Sequence, residues 1–323
     1  MRLAYPGRVR ALLIVNPRAT STTPLRRDVI ARALASAVDL AVMETRYRGH
    51  AARLAATAVE AGHGLVLTLG GDGTVNEAVN GIVGARRADR GGTGPAGLPM
   101  FAPLPGGSAN VFTRALGLPA DPVDAAGQII SSLSAGRERS IGLGLAGDRY
   151  FTFNAGLGLD AEVVRAVEAL RALGRPATPL LYVRMALRQY YRVTDRRHPA
   201  LRIDRDGQPG VGPLFLGIVS NTAPWTYVGR RPVHASPQAG FDSGLDVLAL
   251  RSLRTPGTLR TLRQMLSGGD RPPRGRHVIS LHDEAALTIR ADRPVAFQVD
   301  GEYLGEREQV AFRSVPDALR VIT

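Results

Sequence analysis

The 323-residue chain contains no cysteine. Disulfide bonds and Cys-ligated zinc are therefore excluded, and a reducing compartment is the simple reading. It also contains no lysine, so all 41 basic residues are arginines. That absence removes a Walker A loop with its Gly-Lys pair, the strand lysine of a protein kinase and a lysine Schiff base. Long apolar runs are missing too. Nowhere do 18 apolar residues follow one another, which argues against a membrane-spanning helix. Residues 11–15 are too short a run for a signal-peptide core before Asn16-Pro17. A cytoplasmic protein is the expectation.

What remains is a globular composition, 44% hydrophobic and 21% charged, with enough length for two domains. The net charge of +13 permits a basic face toward anionic lipid or nucleic acid and does not choose between them.

Residues 65–69 form a short apolar run ending in Gly70-Gly71-Asp72-Gly73-Thr74, which reads as a buried strand before a sharp turn. Thr74 and Glu77 have the spacing of a capping box, and Val75, Ala78, Val79 and Ile82 repeat at helical spacing. A helix is thus predicted to start at Thr74. Glycines at such a turn let a ligand approach backbone N–H groups, and a helix N-terminus favours anions. A phosphate site is the natural reading. Asp72 would repel phosphates unless a divalent cation lies between or it takes a proton from a nucleophile, which points to phosphoryl transfer.

Strands and helices alternate through the first 138 residues, implying an open parallel sheet with helices on both faces. The loop at residues 91–97 reads as a solvated glycine-rich segment. Residues 99–102 read as the fourth strand, leading into Pro105-Gly106-Gly107-Ser108-Ala109-Asn110. A helix is predicted over 108–116 with Ser108 as its N-cap. In such sheets ligands sit at the carboxyl ends of strands, where Asn16, Thr45, Asp72 and Ser108 all fall. After residue 138 the pattern changes to short strands, a hairpin at Gly147-Asp148 and a helix opened by Gly156-Leu157-Gly158-Leu159-Asp160. Residues 139–305 therefore read as a mostly antiparallel β-domain, and the strands within 306–323 as a return to the first domain. On the helix over 180–193, Tyr182, Tyr190, Tyr191, Arg184, Arg188 and Arg192 fit a core face with a solvated basic face. Trp225, Tyr227, Arg230 and Arg231 offer a lipid-interface loop. Asp300-Gly301-Glu302 is a hairpin turn by composition, and equally a pair of carboxylates able to bind Mg²⁺ or accept a hydroxyl proton. The incomplete Gly-x-Gly-x-x-Gly pattern at Gly71 argues against a dinucleotide dehydrogenase.

Together these segments resemble the diacylglycerol kinase catalytic family, which includes bacterial lipid kinases and sphingosine kinases. Asn16-Pro17, Thr45, the Gly70–Thr74 block with Asn76-Glu77, the block from Pro105 to Arg114 and Asp300-Gly301-Glu302 occur in the family's order. Val111 stands where the family carries an acidic residue. The resemblance implies a Rossmann-like, phosphofructokinase-like α/β nucleotide-binding domain, a β-sandwich domain and a cleft between them. It also implies an ATP-dependent kinase acting with Mg²⁺ on the hydroxyl of diacylglycerol or a related lipid. Carried over by position, Asn16, Pro17, Thr45, Gly70, Gly71, Asp72, Gly73, Thr74, Glu77, Gly106, Gly107, Ser108 and Asn110 would line ATP. Glu302, Asp72 and Asp300 would be catalytic, with Glu302 and Asp72 both open as the general base. Asp242-Ser243-Gly244-Leu245 resembles the segment beside a structural Mg²⁺ in bacterial members, making Asp242 and Leu245 candidate metal-site residues. Peripheral contact with a membrane carrying the lipid substrate is implied, no nucleic acid is expected, and a homodimer is left open. The alternatives are an NAD or sugar kinase on the same nucleotide-binding fold and, more distantly, a basic nucleic-acid-binding protein.

Overall fold

The computed structural model describes residues 8–88, 97–173 and 178–323. Most of the loop at 91–97 lies outside them. The chain forms two compact units, one of residues 1–141 with 317–323 and the other of residues 142–316.

In the first unit, β1 (Arg10–Val15), β2 (Asp39–Glu44), β3 (Leu65–Gly70) and β4 (Met100–Pro105) are parallel, in the order β2-β1-β3-β4. Between and after them run α1 (Pro24–Ala37), α2 (His50–Glu60), α3 (Asp72–Ala88), α4 (Val111–Ala115) and α5 (Pro122–Ser134). β3 and β4 are buried throughout, as expected of strands covered on both faces. β4 runs past the predicted end at residue 102 and takes in Pro103 and Pro105. The apolar stripe of α3 is its core face: Val75, Ala78, Val79 and Ile82 are all buried. α1 begins as Thr23-Pro24 implies, with the Thr23 hydroxyl accepting from Arg26 N and proline in the first turn.

The second unit takes up the chain within β5 (Glu138–Ala146). There follow β6 (Arg149–Phe151), β7 (Asn154–Gly158), α6 (Leu159–Ala172) and α7 (Pro179–Arg188), the last continued by a π-helical turn over Gln189–Val193. Then come β8 (Leu201–Arg205), β9 (Gln208–Leu214), β10 (Leu216–Ser220), β11 (Thr226–Val228), β12 (Arg231–Val233), β13 (Leu245–Leu250), α8 (Thr255–Leu266), β14 (Val278–Glu284), β15 (Ala286–Val299) and β16 (Glu302–Ile322). Antiparallel pairing runs β14-β13-β10-β7-β15-β16, with β8 on β15 and β9 on β8. One core cluster centres on Phe151 and Phe312, which meet edge to face at 6.3 Å, and another on Tyr190, Leu248 and Met265. The first unit is thus a parallel α/β domain and the second an antiparallel β-sandwich. Two separate strands expected near the C-terminus are one strand, β16, whose Val321 pairs in parallel with Phe101 of β4.

The expected core face with a solvated basic face is met in part: Tyr190 packs in a core cluster and Arg184, Arg188 and Arg192 are exposed, but most apolar residues of α7 and its π-helical turn are not core. Leu180, Val183, Leu187 and Tyr191 are exposed, whereas Met185 and Tyr190 are buried. Helical spacing identifies a stripe, and here that stripe faces outward while a narrower face packs inward. In the loop offered to a lipid interface Arg230 and Arg231 are exposed, whereas Trp225 turns partly inward. It is half-buried against the Tyr190 cluster, and its backbone bonds Val233 and the Asn154 side chain.

α2 and α3 approach so closely at Gly81 that a methyl group there would lie 2.1 Å from the Ala52 carbonyl oxygen. Gly81→Ala should therefore cost about 1–3 kcal/mol, the usual range for overpacking. Gly84→Ala, on the same helix where a methyl group meets open space, should instead gain roughly 0.5–1 kcal/mol. Denaturant midpoints of the two variants check this; equal shifts would contradict the close helix approach.

Candidate functional site

In the first unit the loops after β3 and β4 touch backbone to backbone. Gly106 N donates to the Gly70 carbonyl at 2.7 Å, continuing the ladder past the strand ends. A methyl group on Gly106 would lie 2.8 Å from Gly70 N, and one on Gly107 would lie 2.6 Å from Gly71 Cα. These glycines are required by each other before any ligand is considered.

The side chains around them are held from several elements. Asn16 Nδ2 donates to Thr74 Oγ1 at 3.0 Å, and Asn16 Oδ1 accepts from Arg18 N. Thr45 N donates to the Val15 carbonyl, so Thr45 continues the β1–β2 ladder at the same sheet edge. Asp72 opens α3, where the helix dipole favours its charge, and accepts from Phe112 N of α4 at 3.2 Å. Asn110, in the left-handed region at φ 49°, closes a ring with Gly107 through two 2.8 Å bonds. Pro17 and Ser108 are exposed.

Three expectations are corrected here. The helix starts at Asp72, so Thr74 is not its cap. The Glu77 carboxylate, placed with the nucleotide residues from sequence, accepts from Gly49 N at 2.7 Å and Ala51 N at 3.1 Å. It thus caps the N-terminus of α2. Ser108 does not cap α4, which begins at Val111 with Asn110 at the cap position.

The loops fit a chain of phosphates. The first N–H groups of α3 have no intrahelical partner and point along its positive end. The buried Thr22 hydroxyl has no hydrogen-bond partner among the described residues, and it lies where a Gly106 methyl group would come within 2.9 Å of it. No group of three or more His, Asp or Glu side chains able to hold a metal occurs among the described residues. A cation at Asp72 would accordingly take most of its ligands from phosphate oxygens and water, as Mg²⁺ commonly does. At the other candidate metal position, Asp242 is exposed and the Leu245 side chain is in the core.

In the second unit Asp300 and Gly301 form the tight turn between β15 and β16, with φ 47° and 76°. The two carboxylates of the turn have different surroundings. Asp300 is buried, and its oxygens accept from Thr152 N and Oγ1 and from Phe153 N and Asn154 N, at 2.7–3.1 Å. Four donors use up the acceptor sites of a carboxylate. The catalytic role expected for Asp300 therefore gives way to an anchoring one. Glu302 is half-buried and pairs with Arg149 at 3.2 Å. Gln298 ties the turn to its surroundings, its Oε1 accepting from Gly301 N and its Nε2 donating to Asn154 Oδ1 and Asp160 Oδ2. Burial pushes the Asp160 carboxyl up to about 6, against the opposing effect of the Gln298 amide. Thr152, Asn154 and Gln298 were not singled out from sequence, and Asp160 was named only as the end of a segment opening a helix. The signal was the Gly156–Asp160 segment itself, since a methyl group on Gly156 would lie 1.9 Å from Asp160 Oδ2.

Comparison with known proteins gives matching results for both units. Residues 10–142 match the diacylglycerol kinase catalytic domain, and residues 154–323 match the YegS C-terminal NAD kinase beta sandwich-like domain. A probable lipid kinase YegS-like from Chromohalobacter salexigens is 29% identical over 90% of this chain and 86% of its own length. A Staphylococcus aureus diacylglycerol kinase is 26% identical over 93% of this chain and 88% of its own. A crystal structure of a Bacillus anthracis diacylglycerol kinase superposes with a TM-score of 0.66 over 98% of this chain and 97% of that one. At 19% identity, that last match speaks to the fold.

Asp160 generates a test by pH. Its carboxyl is near 3.8 when unfolded and about 6 in the fold, so the protonated form is favoured by folding. That contribution is fully present below about pH 3.8 and is lost as pH rises through about 6. Asp160→Asn keeps an acceptor for Gln298 and removes the titration. Relative to wild type it should gain stability between pH 4 and 7, read as urea midpoints. Parallel pH profiles for the two proteins would refute the assignment.

Proposed function

We propose, because this chain belongs to the diacylglycerol kinase catalytic-domain family, that it transfers the γ-phosphoryl group of ATP to the hydroxyl of diacylglycerol or a related lipid. The observation that carries this reading is the pair of touching glycine loops beside the N-terminus of α3, with Asp72 in its first turn and the Thr22 hydroxyl, unpartnered among the described residues, at their edge. Backbone amides and a positive helix end suit phosphates, and they leave the chemistry to positioning and charge.

In the reaction the acceptor oxygen forms a bond to the γ-phosphorus while the bond to the ADP oxygen breaks. The hydroxyl proton has to leave as that happens. We assign Glu302 as the base because Asp72 stands in the first turn of α3 beside the glycine loops, on the phosphate side, whereas Glu302, whose Oε2 accepts from Arg149 at 3.2 Å, belongs to the second unit. Asp72 is assigned the phosphate side, where bound Mg²⁺ would supply charge neutralisation. Asp300 anchors the turn that carries Glu302.

Lipid as acceptor places the protein at a membrane surface. Among the described residues no helix is long and apolar enough to cross a membrane. The outward Leu180, Val183 and Leu187 of α7 and Tyr191 of its π-helical turn, alongside Arg184, Arg188 and Arg192, support peripheral contact.

A thin-layer assay with labelled ATP over diacylglycerol, monoacylglycerol, sphingoid bases and NAD tests the acceptor class; labelled NAD phosphate without lipid product would refute the reading. Asp72→Asn should lower turnover by about 10²- to 10⁴-fold or more with folding intact. Glu302→Gln should lower kcat over a similar range and leave ATP affinity nearly unchanged. Should ATP affinity collapse in Glu302→Gln instead, the roles of the two carboxylates exchange.

A further inference from the structure

We propose that α8, with the arginine-rich segment after it, is a docking surface that lies flat on an anionic phospholipid bilayer. The proposal rests on the lipid-acceptor reading for its choice of partner, and on the following geometry for its location.

α8 buries one face and leaves its apolar residues on another face exposed among the described residues. Thr261 and Met265 are buried, and the Met265 carbonyl accepts from His234 N at 2.8 Å. On its outer side Leu259 and Leu262 are 57% and 43% exposed. With Leu266, Arg231, Arg263 and Ser267 they line an open groove of about 400 Å³. Arg231 is fixed at the C-terminal end of the helix, with Nε and Nη2 donating to the Leu266 carbonyl at 3.1 and 2.7 Å. There its charge also complements the helix dipole. Gln264 then folds the following segment back alongside the helix: its Nε2 donates to the Arg274 carbonyl at 3.1 Å, and its Oε1 accepts from Arg274 N at 2.8 Å. Exposed Arg271, Arg274 and Arg276 are brought with that segment, next to exposed Arg260 and Arg263. Between Arg254 and Arg276 the sole acidic residue is Asp270.

Outward leucines inside a field of guanidinium groups suit one occupant. A bilayer with anionic headgroups supplies phosphates for the arginines and an apolar layer just beneath for the leucines. Nucleic acid would use the arginines and leave Leu259 and Leu262 in water. A second copy of this chain would set the same positive charges against each other.

The experiment is sedimentation of the full chain with vesicles of phosphatidylcholine alone and of phosphatidylcholine with phosphatidylglycerol. Wild type should bind the mixed vesicles, and salt should weaken binding as surface charge is screened. Leu259→Glu/Leu262→Glu should reduce partitioning by more than tenfold. Arg260→Gln/Arg263→Gln, which removes only exposed side chains, should reduce it roughly fivefold per arginine. Both variants should keep the wild-type melting temperature and wild-type phosphorylation of lipid presented in detergent micelles. Wild-type vesicle binding by both variants, or no binding by wild type, overturns the proposal. Binding of DNA that needs the same arginines, without vesicle binding, overturns it in favour of nucleic acid. If wild type binds vesicles through α8 yet phosphorylates no lipid in micelles, the docking surface stands and the lipid-kinase reading falls.

Discussion

The first unit depends on two stretches of backbone that touch where side chains cannot intervene. Gly70-Gly71 and Gly106-Gly107 leave parallel neighbouring strands, and a 2.7 Å hydrogen bond between Gly106 and Gly70 carries the pairing beyond the sheet. Everything proposed for the phosphate end follows from that contact. It fixes where α3 begins, and therefore where Asp72 stands. It sets the loop that Asn110 closes, and it brings Phe112 N to the Asp72 carboxylate. Any side chain at Gly106 or Gly107 would push the two loops apart, so the same glycines that admit an anion also build the place that receives it.

The second unit solves a comparable problem with a carboxylate. Asp300 gathers three successive backbone N–H groups and the Thr152 hydroxyl in its own turn, and Gln298 braces the same turn from the other side. A buried polar network of this kind is valuable only when each member is satisfied. Here it is satisfied through Asn154, Asn221 and the carbonyls of Gly142, Thr152 and Trp225. The outcome is a braced strand end, beyond which Glu302 is half-buried and paired with Arg149.

Much of the fold was legible in the sequence because it is local. Continuous apolar runs gave β1, β3 and β4, helical spacing gave α3, and Thr23-Pro24 gave the start of α1. What sequence could not reveal is where a polar group finds its partner. Glu77 reaches Gly49 and Ala51, 28 and 26 positions away, and Asp300 reaches back 146–148 positions to residues 152–154. No spacing rule encodes such pairings. Periodicity likewise reported a stripe on α7 without saying which side of the molecule it faces, and α7 turned that stripe outward. The glycine motif was read for the ligand it could admit, whereas half of its reason is the loop opposite.

The strand β16 has a consequence for how the molecule is made. Residues 317–323 belong to the first unit, yet they follow the whole of the second in the chain. Domains usually fold as they emerge from the ribosome, the N-terminal one first. In this protein β4 must wait with its far edge unpaired at Phe101 until Val321 has been synthesised. Throughout translation of residues 142–316 the nascent first unit therefore carries an open edge of the sort that recruits stray strands. Vectorial synthesis leaves the first domain to be finished last.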